Sequence, residues 1–283
     1  MKLDQPTSLL TIDVEDWFQV DNLKAGIPRD SWGARELRVE GNIDLILDVL
    51  DRNSTKATFF ILGWIAERVP GLVKKIHTCG HEIASHGYKH DLIYSLDPVK
   101  FRNDVGASKS LLEDLIGEPV LGYRAPNFSI TDWAIDVLSD LGFRYDSSLY
   151  PIMVHDRYGK LSGVNAREKG YVELKPGFYE FALSCLRLFQ LNVPWSGGAY
   201  FRLLPYPVFQ HGVRRILRKQ NLYCFYIHPW EFDPGQPRVS SVKLLYKFRH
   251  YNNLKKTHDR FLHLVHDFSF RPIRYALPDT IVP

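Results

Sequence analysis

The residues best suited to chemistry fall into a few short stretches. Thr11-Ile12-Asp13-Val14-Glu15-Asp16-Trp17 sets three carboxylates within four residues, a crowding that costs energy unless a cation or an arginine compensates it. A helix cap explains one of them, not three. Ser85-His86-Gly87-Tyr88-Lys89-His90 carries two imidazoles four positions apart, which a tight loop can aim at one ion. Two histidines and one carboxylate make a metal site with open positions, suited to holding water. Zinc is the leading ion, and the same donors also serve ferrous iron, cobalt or nickel. Gly122-Tyr123-Arg124-Ala125-Pro126-Asn127 adds a fixed cation and a turn with free backbone N–H groups. Arg124 can pair with Asp13 and orient it as a base. His228, in Phe225-Tyr226-Ile227-His228-Pro229-Trp230, reads either as a satisfied core histidine or, the preferred reading, as a general acid. Trp195, Tyr200, Tyr206, Trp230 and Phe232 can wall a sugar site, although most aromatics in such a chain are core.

Apolar runs place these groups. Leu9–Ile12, Ala57–Leu62, His81–Ser85, Val120–Tyr123, Phe143–Tyr145 and Leu222–Ile227 read as buried strands, and helical patterns alternate with them. The helices are expected near 42–50, 65–78, 98–116, 131–141, 208–219 and 253–267. The second is stopped by Gly80, and the third is capped by Asp97 and ended by Gly117. The fourth is capped by Thr131. Asp13, Glu15 and Asp16 follow the first strand, and His86 and His90 the third. Arg124, Asp146 and His228 follow the fourth, fifth and last. In a parallel α/β sheet or barrel, strand C-termini share one rim, where active sites gather. His77 and His81 share the four-residue spacing but straddle Gly80 at the opposite rim, and read as structural.

Composition sets the outer bounds. The chain has 283 residues, 45% apolar and 24% charged, an ordinary globular mix that excludes a disordered protein. No apolar run reaches the roughly 20 residues of a membrane span. Three scattered cysteines exclude a disulfide framework. No export signal is read at the first residues, so a cytoplasmic enzyme-sized domain is expected. Residues 201–274 hold 14 Lys and Arg against 4 Asp and Glu. Such a basic face either is an ordinary solvated surface or attracts phosphates and an anionic membrane; no nucleic-acid partner is expected. No linker divides the chain, so residues 1–283 are read as one domain. Residues 151–200, rich in Gly, Pro and aromatics, are expected as an inserted set of loops and hairpins.

At these residues the sequence resembles the polysaccharide deacetylases of carbohydrate esterase family 4, across roughly 9–232. The likeness rests on the Thr-Ile-Asp opening, His86-x-x-x-His90, Arg124-Ala-Pro, Tyr145-Asp146-Ser147-Ser148 and the late strand with His228. Within the family it is most similar to the exosortase-associated exopolysaccharide deacetylases. The shared stretches are Asp-Val-Glu-Asp-Trp-Phe, Ser196-Gly197-Gly198-Ala199-Tyr200-Phe201-Arg202 and Phe248-Arg249-His250-Tyr251-Asn252-Asn253-Leu254. The resemblance implies a deformed (β/α) barrel with a C-terminal helical extension at about 236–283. It also implies a divalent metal, usually zinc, and an N-acetylated glycan substrate. By motif, Asp13 is the base, Arg124 its partner, His228 the acid, and His86 and His90 metal ligands; Asp146 joins the catalytic candidates. Many members have a second aspartate directly after the first as a ligand. Here Val14 stands there, so the ligand is Glu15 or Asp16. Strand alternation favours Glu15, and a turn at the strand end equally delivers Asp16. Pro126 and a backbone N–H near Asn127 are expected around the oxyanion, with Trp195, Tyr200 and Trp230 around the sugar.

The expected reaction is removal of N-acetyl groups from amino sugars of a polysaccharide or lipid-linked glycan in bacterial exopolysaccharide biosynthesis. Lipid-linked sugars carry pyrophosphate, which the basic face would attract to the inner face of the membrane. Two rivals stand beside it: an amidohydrolase of the same fold acting on a cyclic ureide or imide, and a glycan-binding protein with a decayed site. The sequence leaves the oligomeric state open.

Overall fold

The computed structural model describes residues 5–152, 158–164, 169–189 and 191–278. Strands β1 (Thr7–Val14), β2 (Thr58–Ile61), β3 (Glu82–Ser85), β4 (Gly122–Tyr123) and β5 (Tyr145–Asp146) run parallel. Helices α1 (Val39–Arg52), α2 (Gly63–Arg68), α3 (Pro70–Thr78), α4 (Pro98–Ile116) and α5 (Asp132–Asp140) connect them. The hairpin β6 (Tyr171–Lys175) and β7 (Phe178–Phe181) follows, then the separate hairpin β8 (Cys185–Leu188) and β9 (Leu191–Pro194). Helices α6 (Gly198–Leu203) and α7 (Tyr206–Gln220) lead into β10 (Leu222–Ile227). Helices α8 (Leu244–Tyr251) and α9 (Thr257–Asp267) precede β11 (Phe270–Arg271), which pairs with the start of β1.

The main sheet runs β10-β1-β2-β3-β4-β5-β7-β6, a curled parallel half-barrel with one antiparallel edge strand. The sequences Leu-Leu-Thr-Ile, Thr-Phe-Phe-Ile and Leu-Tyr-Cys-Phe-Tyr-Ile are buried throughout, as strands covered on both faces must be. Register then aligns the strand ends. Ile12 pairs with Ile227, Val14 with Ile61, Ile61 with Ser85, Ser85 with Tyr123, and Tyr123 with Asp146. The polar residues that follow each strand therefore reach one rim.

Three expectations change. The single helix over 65–78 is two, α2 and α3. Pro70 lacks an N–H, and its ring would clash with the carbonyl four residues back; it starts α3 instead. Thr131 precedes α5, but its hydroxyl makes no capping bond. The segment 151–200 is not wholly an insertion, because β7 is buried along its length and pairs in parallel with β5.

Gly122 lies where β4 meets β5. A Cβ there would lie 2.1 Å from the Tyr145 ring and hydroxyl, and that hydroxyl donates to buried Glu82 at 2.8 Å. Gly122→Ala is expected to lower unfolding free energy by roughly 1–3 kcal/mol, as overpacking does, read from the urea midpoint at unchanged slope.

Candidate active site

The rim surrounds a cavity of about 150 Å³ whose wall includes Asp13, Glu15, His86, His90, Asn127, Tyr200, His228 and Trp230. Glu15 arrives on the turn leaving β1. His86 and His90 occupy the turn leaving β3, where Gly87 has φ +74° and His90 itself φ +59°. That left-handed backbone disfavours a non-glycine residue, and it brings both imidazoles to the same point.

Glu15 Oε1 lies 3.0 Å from His86 Nε2 and 2.9 Å from His90 Nε2. His86 Nδ1 sits 2.7 Å from the carbonyl oxygen of Arg124. A carbonyl only accepts, so Nδ1 carries the hydrogen, and in the neutral ring Nε2 then turns a lone pair toward the Glu15 carboxylate. Electron pairs so aimed at one another in a buried place call for a cation between them, a proton on the ring or a metal ion. All three donor atoms fall within 4.8 Å of each other, and the carbonyl that fixes the His86 tautomer is a typical outer support of a metal-bound imidazole. The donor set therefore fits a divalent cation of the zinc type. Burial would raise the Glu15 carboxyl, but the charge of His90 and the bonds from His86 and His90 hold it well below the usual range.

Asp16 does not join this cluster. Its Oδ1 accepts from Trp17 N at 2.8 Å, and its Oδ2 accepts from Arg38 N at 2.7 Å and Val39 N at 3.0 Å. It caps the start of α1 from a distance in sequence. Of the two carboxylates left open by the sequence, the turn delivers Glu15 to the histidines and turns Asp16 away.

Arg124 is fully buried. Its Nη1 donates to Asp13 Oδ1 and Thr11 Oγ1, both at 2.7 Å, while Nε and Nη2 donate to the carbonyl and hydroxyl of Ser147 at 2.8 and 2.7 Å. Asp13 Oδ2 is left facing His228 Nε2 at 3.9 Å. A base candidate and an acid candidate thus share one small volume.

The sequence missed what stands behind His228. Its Nδ1 donates to Glu231 Oε1 at 3.0 Å, and Glu231 Oε2 accepts from Arg202 Nε at 2.6 Å. Both Glu231 and Arg202 are buried. Burial would lower the His228 imidazole, but the bond to Glu231 and the carboxylates of Glu15, Glu231 and Asp13 push it up to about 9. Burial would raise Glu231, yet Arg202 and His228 hold it at about 2. The signal was available in His-Pro-Trp-Glu, where a tight turn brings a carboxylate back to the histidine three residues earlier.

Other candidates are placed differently from expectation. Asp146 is buried behind the cavity wall and accepts from the Ser148 hydroxyl at 2.6 Å, while that oxygen accepts from Ala125 N at 2.7 Å. It braces the Arg124-Ala125-Pro126 turn and does not line the cavity. Pro126 is buried behind Asn127, which does line it. Trp195 belongs to the core, donating to the Phe209 carbonyl at 2.9 Å and stacking on its ring. Tyr206 bonds Asp267 on the outer helices, and Phe232 packs on Phe261. Tyr200 and Trp230 do line the cavity. Trp230 is sandwiched, 5.2 Å from His228 and 4.2 Å from His250 between ring centres. Among the described residues, the buried donors Asn127 Nδ2 and Trp230 Nε1 lack a partner, and both residues belong to the cavity wall. His81, whose Nδ1 accepts from Ala57 N at 3.3 Å, is structural.

Two outcomes follow from this geometry. Glu15→Ala, His86→Ala or His90→Ala should each abolish stoichiometric binding of an added divalent metal in elemental analysis. Asp16→Ala should keep the metal and lose about 1 kcal/mol of stability, the scale of a lost cap. In chelator-treated protein, an NMR titration should find the His228 imidazole near the value of about 9. In Glu231→Gln the midpoint should fall, because the carboxylate that favours the charged ring is gone.

Two family models cover this chain: "Polysaccharide deacetylase" over residues 31–145 and "Domain of unknown function (DUF3473)" over 147–278. The peptidoglycan-N-acetylglucosamine deacetylase of Bacillus cereus is 32% identical over 117 residues, covering 36% of this chain and 42% of that protein. The chain spans less than half the length of the curated relatives it matches. Two solved structures share its fold. A peptidoglycan N-acetylglucosamine deacetylase in complex with 4-naphthalen-1-yl-N-oxidanyl-benzamide gives a TM-score of 0.53 at 16% identity, covering 97% of this chain and 89% of that one. A family 4 pseudoenzyme from Bacillus anthracis gives 0.51 at 15% identity, covering 98% and 66%. Residues 31–145, which hold His86, His90 and Arg124, thus match the polysaccharide deacetylase family, and the curled sheet has the fold of the family 4 structures.

Proposed function

We propose that the protein is a metal-dependent N-deacetylase acting on the amino sugars of a polysaccharide or lipid-linked glycan, in bacterial exopolysaccharide assembly. The observation that carries this reading is the meeting, in one cavity, of a three-donor cation site with a base and an acid 3.9 Å apart. When bound by Glu15, His86 and His90, a divalent cation such as zinc supplies Lewis acidity, lowering the pKa of water from about 15.7 to about 7.

The chain's own residues do the rest. Arg124 ties down Asp13 Oδ1 and leaves Oδ2 to take the proton from the attacking water as its oxygen bonds to the acetamide carbon. The carbonyl electrons shift onto oxygen beside the turn at Asn127, whose left-handed backbone (φ +52°) presents it to the cavity. His228, held charged by Glu231, Glu15 and Asp13, donates its Nε2 proton to the sugar nitrogen as the C–N bond breaks, because an amine anion is too poor a leaving group. Acetate and a free amino sugar result. Tyr200, 38% exposed on the cavity wall, offers an aromatic face to a sugar ring. As part of the same proposal, the enzyme works in the cytoplasm at the inner face of the membrane; the cationic excess of residues 201–274 supports this, and no helix of the described residues is long and apolar enough to cross a membrane.

A decayed glycan-binding protein would not need the donors, the base and the acid to remain together in one cavity. A cyclic-ureide hydrolase needs no basic extension beside the cavity. The zinc-loaded protein should release acetate from N-acetylglucosamine oligomers and leave cyclic ureides intact. His228→Ala should cut turnover by roughly 10²–10⁴-fold, the contribution of a positioned acid, with bound zinc unchanged. Ring opening without acetate release would select the ureide reading, and zinc bound with neither activity the decayed one.

A further inference from the structure

Helix α8 and the loop before it carry a surface that catalysis does not use. Leu244, Leu245 and Phe248 are 81%, 58% and 54% exposed, on a helix of eight residues whose other side buries His250. Val239 and Tyr251 line a groove with Leu244 and Phe248. Between Pro234 and His258 the chain has six Lys and Arg and no Asp or Glu. Exposed Lys243 and half-buried Lys247 flank the apolar face. This face adjoins the active site. Arg249 of α8 reaches the cavity wall, and Arg202 of α6 donates to the carbonyls of Arg249, His250 and Asn252. Leu203, at the end of α6, is 46% exposed beside it.

We propose that α8 is a membrane-docking element, which seats the enzyme on an anionic lipid surface with the catalytic cavity at the level of the headgroups. The inference rests on the glycan-deacetylase reading only for the identity of what the cavity meets there. Large apolar side chains flanked by lysines are the pattern of a helix lying in a bilayer interface. A second copy of the chain is the wrong occupant: two-fold pairing of this face would oppose its cations to one another without an acid to neutralise them. An anionic bilayer supplies both what the leucines and phenylalanine need and what the lysines need. A substrate attached to a lipid would then meet the cavity from the membrane side.

Sedimentation of the full chain with phosphatidylcholine vesicles, and with vesicles also containing phosphatidylglycerol, tests this. The protein should pellet with the anionic vesicles and stay in solution with the neutral ones, and added salt should weaken binding. Lys243→Gln with Lys247→Gln should weaken it about 30-fold, from the about 1 kcal/mol that each cation contributes at such a surface. Replacing Leu244, Leu245 and Phe248 by serine should remove binding even at low salt; all three are exposed, so circular dichroism and acetate release from soluble oligomers should not change. Equal recovery with both vesicle types, or full binding by the triple-serine variant, overturns the proposal. So does a dimer in sedimentation velocity that the serine variant dissolves, since the face would then belong to a second copy. Vesicle binding needs no turnover: a protein that binds but releases no acetate loses the deacetylase reading and keeps the docking, and the converse result does the reverse.

Discussion

One buried guanidinium organises the catalytic rim. Arg124 has no contact with water, and an ion so placed is tolerated only if its donors are satisfied. They are met by Thr11 and Asp13 of β1 and by Ser147 after β5, and the Phe60 ring of β2 lies 4.2 Å from its central carbon. Its own carbonyl, after β4, holds the His86 tautomer after β3. Five adjacent strands are thus linked through one residue. Because leaving any partner alone in the interior is costly, typically 3–5 kcal/mol for a broken buried pair, the positions of Asp13 and His86 are tied together.

Behind this rim lies a second layer that has no contact with the cavity. Burial, and the charge of Asp146 beside it, push the Glu180 carboxyl well above the usual range. Glu180 Oε1 also accepts from Ser148 N and Leu149 N at 3.1 and 2.8 Å. Through the Ser148 hydroxyl this pair holds Ala125 N, and hence the turn after Arg124. A carboxylate at a strand end can therefore serve geometry alone, which is why Asp146 looked catalytic in sequence.

Much of the rim was legible because parallel strands bury apolar runs on both faces, and each run ends where polarity begins. Asp13, His86, His90, Arg124 and His228 could be placed by that rule alone. It could not separate Glu15 from Asp16, since a single turn after β1 decides which carboxylate swings inward. It also could not tell Trp195, stacked in the core, from Trp230 on the wall, because the two differ only in which side of their elements faces the cavity. The Arg202–Glu231–His228 chain escaped for another reason. Its members come from α6, from the turn after β10 and from the carbonyls of α8, and no periodicity connects them.

That chain shows how the two halves of the sequence divide the rim. The candidate cation donors Glu15, His86 and His90, with Asp13, all precede residue 145, Asp13 and Glu15 standing ahead of the first matched region; His228, Glu231 and Arg202 all lie within the second. Arg202 locks the carbonyls of Arg249, His250 and Asn252 into the same network. On the proposed mechanism the C-terminal third is no detachable accessory: His228 and the two residues that hold it would leave with it, and the rest of the rim would keep its cation donors and Asp13 without the proposed acid.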